Sequence, residues 1–314
     1  MASRSDGFSL RRKLSPVVSA FVTSPARRRL ARRLRDWRRS ASGRPHRVEY
    51  FHQVDDPYSQ LTAPLLERFA ERYDVELVPV LVGPPDDAAA PERERLVGFS
   101  RKDAADLAPH YGQSFRDPGA QPPDELVRLA TAILVANLDP DRFAAMAAAV
   151  GECLWAGDAG ALTAIAKGYG AVDPDTAQRA CESGNERRRK LGHYLGATFH
   201  YEGEWYWGIE RLAYLEERLE QLGAVHADMR RAPRIVSRVP APQRTLARSG
   251  GELRLEFFCS LRSPYTAISF GPVKRLAERY GLALVLRPVL PMVMRGLPVP
   301  AAKRLYILLD TKRE

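Results

Sequence analysis

The sequence is poor in sulfur and lacks the short motifs that would announce a catalytic class. Only three cysteines, Cys153, Cys181 and Cys259, stand in 314 residues, and they lie 28 and 78 residues apart. That spacing gives no disulfide framework, no C-x-x-C pair and no zinc site, and such usage suits a reducing, cytoplasmic compartment. No run of 18 apolar residues occurs, so no helix can be expected to span a membrane. There is no H-E-x-x-H, and His193 and His200 are seven residues apart, so no metal is expected. No G-x-G-x-x-G or G-K-[ST] loop is present to cradle a phosphate.

The charge is unevenly spread. Residues 1–45 carry 13 Lys and Arg against Asp6 and Asp36, a net +11, whereas the whole chain is +10. The remainder is therefore −1, with 35 basic against 36 acidic residues. Nucleic-acid binding by the folded part is not expected, because its basic footprint would lie across the domain itself. Within the arm, Ser24-Pro25 reads as an N-cap followed by proline at the first helical position. Leu30, Leu34 and Trp37 then form a stripe among Arg27, Arg28, Arg29, Arg32, Arg33, Arg35, Arg38 and Arg39. Such a basic amphipathic helix fits an anionic membrane surface, peripheral at its inner face, or an acidic partner. A solvated tail and a helix packing its stripe on its own domain are the plainer readings. The apolar stretch from Leu14 to Val22 is short and broken by Pro16, and no cleavage site follows it, unlike a secretory signal.

An internal repeat organises the rest. Residues 47–80 align without a gap to residues 254–287 at an offset of 207, with 12 of 34 positions identical. The identities include Glu49, Phe51, Pro57, Tyr58 and Arg68, and the run Ala70-Glu71-Arg72-Tyr73. Each copy starts with a short β-branched and aromatic run (Val48–Phe51 in the first), which reads as a strand. A proline loop follows, then a helix with Leu61, Leu65 and Phe69 at spacings of four, then a second strand, Val75–Val82. So short a link implies a right-handed βαβ unit with parallel strands.

Residues 100–190 are alanine- and leucine-rich without strand-like alternation. Leu126–Val135, Phe143–Leu154 and Ala161–Lys167 read as helices, divided by Asp139-Pro140, Gly157-Asp158 and Asp173-Pro174. Thr198–Tyr201 and Trp205–Tyr206 read as a hairpin around Glu202-Gly203, and Leu212–Leu222 as a closing helix. The expected organisation is an arm over 1–45, a first α/β domain over 46–224 and a linker over 225–250. A second copy over 251–314 is expected to stop inside its helical block.

The tail of the first copy, Gly196-Ala197-Thr198-Phe199 followed by Gly203-Glu204-Trp205-Tyr206-Trp207-Gly208 and Arg211-Leu212, is similar to the C-terminal signature of the DsbA-like branch of the thioredoxin superfamily. The second copy, Phe257-Phe258-Cys259-Ser260-Leu261-Arg262-Ser263-Pro264-Tyr265-Thr266, resembles 2-hydroxychromene-2-carboxylate isomerases and kappa-class glutathione transferases. Arg287-Pro288-Val289-Leu290, Lys303, Tyr306 and Asp310 continue that likeness. Together the resemblance covers about 240 of 314 residues. It implies a thioredoxin-like fold with a helical insertion, in tandem copies of which the second is incomplete, preceded by a basic helical arm.

In redox members of that fold a C-x-x-C quartet sits at a helix N-terminus, where the dipole lowers a thiol's pKa. The corresponding quartets here are Asp56-Pro57-Tyr58-Ser59 and Ser263-Pro264-Tyr265-Thr266. Neither contains sulfur, so neither can exchange disulfides. By the resemblance, Ser263 would hydrogen-bond the sulfur of glutathione as cosubstrate, with Arg262, Pro264 and Tyr265 as walls or orienting groups. The resulting thiolate would isomerise or conjugate a small aromatic or electrophilic compound. Ser263 can equally be a plain helix cap. Asp56 would cap its helix and repel a thiolate, and Ala197 before Thr198 stands where the family carries a cis-proline, so a trans bond is expected there. The first site therefore reads as degenerate. A non-catalytic interaction module, tethered by its arm to a membrane or acidic partner, is the alternative. The second site would need the first domain or another subunit, as in a homodimer, to complete it. His52 is read as a base or a core residue, Cys259 as buried, and one of Trp205 and Trp207 as core.

Overall fold

The computed structural model describes residues 18–236 and 253–314. Expectations for residues 1–17 and 237–252, the start of the arm and most of the linker, lie outside the described residues. The chain divides into two compact units, Arg39–Pro240, and Met1–Arg38 together with Ala241–Glu314.

In the first of these units, β1 (Arg47–His52) and β2 (Glu76–Leu81) pair in parallel, from Arg47↔Glu76 to His52↔Leu81. The other edge of β1 takes β3 (Thr198–Tyr201) antiparallel, and β3 takes β4 (Glu204–Trp207), giving the order β2-β1-β3-β4. Strand alternation sends Tyr50 to one face, against Phe143 and Phe199, and Phe51 to the other, against Trp205. The hairpin turn is at Glu202 and Gly203, with φ of 47° and 75°. Two positive φ values are what a two-residue type I′ turn demands, and the glycine takes the second at no steric cost.

The helix between β1 and β2 is interrupted, where one helix was expected. It runs as α2 (Pro57–Thr62), a single 3₁₀ turn (Ala63–Leu65) and α3 (Leu66–Arg72). Pro64 supplies no N–H and obstructs the preceding carbonyls, which ends the first segment.

Five helices then separate β2 from β3: α4 (Arg93–Leu107), α5 (Asp124–Ala136), α6 (Pro140–Trp155), α7 (Ala159–Tyr169) and α8 (Pro174–Lys190). The aspartates read as dividers are N-caps. Asp139, Asp158 and Asp173 accept from the backbone N–H of Arg142, Ala161 and Thr176. Helix α4 escaped the sequence reading because its apolar residues make no stripe: Leu96 and Phe99 are exposed and only Ala104 is buried. Residues of α3, α5, α6 and the closing helix α9 (Gly208–Gln221) join β1–β4 in one apolar core that includes Phe69, Ile133, Phe143, Leu212 and Leu215. The unit thus has the expected order of βαβ, helical block and ββα.

The expected linker start at residue 225 is corrected by the structure. Residues 225–236 pack on the first unit, because Glu216 and Glu220, one turn apart on α9, supply acceptors. Glu216 takes the N–H groups of Ile235 and Val236 at 2.8 and 2.9 Å, and Glu220 Oε2 takes two bonds from the Arg234 guanidinium.

The other unit holds α1 (Pro25–Ala41, its last three residues counted with the first unit), β5 (Arg254–Cys259), α10 (Pro264–Tyr280), β6 (Ala283–Pro288) and α11 (Ala301–Thr311). Strands β5 and β6 pair in parallel from Arg254↔Ala283 to Cys259↔Pro288, each partner 207 residues beyond its counterpart in β1 and β2.

Candidate functional site

Both quartets lie where a strand end meets a helix start, and their backbones match. Asp56 and Ser263 are the N-caps of α2 and α10, with φ/ψ of −98°/120° and −88°/125°. The N–H of Asp56 donates to the Gln53 carbonyl at 3.1 Å and that of Ser263 to the Ser260 carbonyl at 2.9 Å. Pro57 and Pro264 each take the first helical position. In the fourth position, Ser59 Oγ accepts from the Gln53 N–H at 3.2 Å and Thr266 Oγ1 from the Ser260 N–H at 3.1 Å.

The likeness extends beyond residue 80. The Tyr58 hydroxyl donates to Asp103 Oδ2 at 2.8 Å, and the Tyr265 hydroxyl to Asp310 Oδ2 at 2.9 Å. Asp103 and Asp310 are again 207 apart, on α4 and α11. Asp103 was missed because the flanking sequence of these two helices has diverged; carrying the ungapped offset to Asp310 would have found it. Asp310 is fully buried and also receives the Tyr306 hydroxyl at 3.4 Å. With its hydroxyl so engaged, Tyr265 can present a ring wall to a ligand but not a free donor, which narrows the role expected for it. Tyr265→Phe should cost about 1.5–3 kcal/mol, the range for a bond to a charged acceptor. Faster hydrogen exchange at the amides of α10 and α11 would register it, and unchanged exchange would show the bond to be dispensable.

The two sites differ in the cap side chain. Asp56 is spent inside the chain: Oδ1 accepts from the Tyr58 N–H at 3.4 Å, and Oδ2 from the Ser59 N–H and hydroxyl, both at 3.1 Å. Burial pushes its carboxyl up to about 7, against the hydrogen bonds from Ser59 that favour the charged form. Ser59 Oγ also accepts the Ala197 N–H at 3.1 Å, so its hydroxyl bridges β1, α2 and the loop before β3. Ala197 sits at φ 50°, a conformation an alanine adopts only under constraint, with its carbonyl held by the Gly208 N–H at 2.7 Å. The described peptide bonds are all trans. Gly196 is required by close approach: a Cβ there would lie 2.6 Å from the Cβ of Gln53. The Thr198 hydroxyl is turned back to the Gly196 carbonyl at 2.6 Å.

Ser263, in contrast, makes no side-chain cap bond. Its hydroxyl is half-buried and unspent at the N-terminus of a 17-residue helix, beside an exposed Arg262. Lys303, on α11, is half-buried, and burial pushes its ammonium down.

The remaining candidates are structural. His52 is buried edge-on against Phe143, beside the Tyr50 hydroxyl. His193 stacks on Trp205, and His200 bonds Glu49, which also pairs with Arg187. Among the described residues, no group of three or more His, Cys, Asp or Glu could hold a metal ion. Trp205 is buried and Trp207 half-buried, and Cys259 is buried at the end of β5.

No family model and no curated protein matches the chain. Solved structures do. A 2-hydroxychromene-2-carboxylate isomerase matches at 17% identity and TM-score 0.40, over 56% of this chain and 96% of the other. The cytosolic disulfide reductase DsbM from Pseudomonas aeruginosa matches at 18% identity and TM-score 0.37, over 56% of this chain and 99% of the other.

Proposed function

We propose that Ser263 is the thiol-anchoring residue of a glutathione-dependent isomerase or transferase acting on a small aromatic or electrophilic compound. The reading takes the two βαβ units and their following helices as tandem copies, of which the second carries the chemistry. One observation carries it. At matching cap positions, the Asp56 carboxylate is consumed by its own helix, whereas the Ser263 hydroxyl makes no cap bond and has no partner among the described residues.

A hydroxyl at that point can donate to a sulfur, while the N–H groups and dipole of α10 stabilise the thiolate form. The thiolate would add to a conjugated carbon, the bond would rotate, and elimination would return the thiol; with a leaving group present, the product would keep the thiol. Arg262 and the Tyr265 ring would flank the ligand. Neither loop has the sulfur that dithiol exchange requires. The three free cysteines suit the reducing compartment in which glutathione is abundant.

Calorimetric titration of the whole chain with glutathione tests the proposal. Binding should weaken about tenfold to hundredfold in Ser263→Ala, the loss of one hydrogen bond to a charged acceptor. Asp56→Ala should leave it unchanged. Absence of binding, or binding indifferent to Ser263, overturns the reading.

A further inference from the structure

Helix α1 is arranged inside out. Its 17 residues include eight arginines and one acid, Asp36, and none of the 17 is buried. Leu30, Leu34 and Trp37, spaced four and three apart, share one stripe and are 69%, 45% and 66% exposed. The partly covered side chains Arg32, Arg35, Asp36 and Arg39 lie on the opposite side of the helix. A surface helix ordinarily turns its apolar stripe to the protein and its charges to water. Here Arg32, Arg35, Asp36 and Arg39 are the partly covered side chains, while Leu30, Leu34 and Trp37 stand exposed.

The stripe is flanked by exposed guanidiniums, Arg27 and Arg38 along one border and Arg33 along the other. Phe21, one turn before the helix, is 65% exposed, with the Arg27 guanidinium 5.3 Å from its ring centre. An occupant of this face must bury three large apolar side chains and meet a row of cations at their edges. Nucleic acid would satisfy the cations and leave the leucines and tryptophan in water. The interface of an anionic bilayer satisfies both, with acyl chains below and phosphates at the rim.

We propose that α1 is a bilayer-surface anchor, lying in the headgroup region of an anionic membrane with Leu30, Leu34 and Trp37 inserted and Arg27, Arg33 and Arg38 at the phosphates. This inference stands independently of the chemistry at Ser263. Among the described residues no helix is long and apolar enough to cross a membrane.

The test uses the full chain and vesicles of phosphatidylcholine with and without phosphatidylglycerol. Trp155 and Trp205 are buried and Trp207 is half-buried, so the emission of Trp37 reports on the site. Co-sedimentation should be at least about tenfold stronger with phosphatidylglycerol, given a gain of roughly fivefold per arginine near an anionic leaflet. Emission should shift to the blue and be quenched by lipids brominated on the acyl chain, and Trp37→Phe should bind yet lose the quenching. The triple variant Leu30→Ser, Leu34→Ser, Trp37→Ser should lose at least about tenfold in binding. The quenching of the unmodified chain does not depend on how that variant folds. Binding undiminished in the triple variant, absence of quenching, or preferential capture of a single-stranded RNA over the vesicles would overturn the proposal.

Discussion

Gly184→Val is expected to destabilise the first unit by about 3 kcal/mol or more, the upper range for overpacking where the surroundings cannot yield. Gly184 lies on α8 where that helix crosses β2. A Cβ added there would stand 1.9 Å from the Leu81 carbonyl oxygen and 3.0 Å from both the Leu81 carbonyl carbon and Val80 Cγ1. The obstacle is strand backbone, so it cannot rotate away as a side chain would. The helix cannot withdraw freely either. Asn185 Oδ1 accepts the Gly83 N–H at 3.1 Å, and the buried Arg188 donates to the Gly83 carbonyl at 3.1 Å. Three residues further on, Arg187 makes two bonds to the Glu49 carboxylate across the sheet. Urea unfolding followed by circular dichroism measures the effect, with Gly168→Ala as the control. Gly168 is on α7 with nothing within 4 Å of its added Cβ, so that change should be neutral or stabilise by up to about 1 kcal/mol. A loss below about 1 kcal/mol for Gly184→Val would mean that α8 can slide off the strand.

Mild acid is expected to unfold the chain through two buried histidines. His52 and His193 are each 2% exposed, and burial pushes both imidazoles down to about 3. In the unfolded chain they take up protons near pH 6.5. Their contribution to stability is therefore complete above pH 6.5 and is lost as pH falls from there towards 3, by about 1.4 kcal/mol per pH unit for each ring. Asp56 acts in the opposite direction. Its carboxyl, raised to about 7 by burial, holds a proton in the folded state, so its contribution is lost as pH rises from the ordinary carboxyl value towards 7. Two groups oppose one, and stability should fall below pH 6.5. Glu49 adds to the acid loss lower down. Burial would raise its carboxyl, but the bonds from His200 and Arg187 prevail and hold it at about 2, so its stabilisation fades as pH drops from 4.5 towards 2. Urea titrations across this interval, repeated on His193→Phe, provide the test. Phenylalanine can keep the stack on Trp205 while removing one proton from the balance, so the pH slope should shrink by about 1.4 kcal/mol per unit. An unchanged slope would show that His193 is not held neutral. Asp56→Asn should raise stability at neutral pH and steepen the decline into acid.

These effects depend on features that are unequally legible in the chain. The β-branched and aromatic run at Val48–Phe51, the two-residue turn at Glu202-Gly203 and the Asp-Pro breaks between helices are local, so residue type and spacing suffice to read them. The repeat is legible for the same reason over residues 47–80, where strand, cap and helix all recur. It goes dark in α4 and α11, where little but the Asp103 and Asp310 pair persists, because a hydrogen bond to a tyrosine 45 residues away constrains one position and leaves its neighbours free. The helix break at Pro64 is masked in the sequence by the unbroken apolar spacing of Leu61, Leu65 and Phe69, and the extension of the first unit to residue 236 depends on the distant acceptors Glu216 and Glu220.

At the candidate site the amino-acid types specify which atoms are available: no sulfur in either quartet, a carboxylate at one helix cap and a hydroxyl at the other. Those follow from residue identity alone. Which of these atoms is already engaged emerges from the folded arrangement. Asp56 and Ser59 are tied to each other and to the loop at Ala197, 138 residues beyond Ser59, while Ser263 is left unspent. In the same way, the arm's composition determined that α1 is amphipathic, and packing decided that its apolar stripe faces outward. Exposure and hydrogen-bond occupancy belong to the three-dimensional arrangement, because they depend on what the rest of the chain brings to each residue.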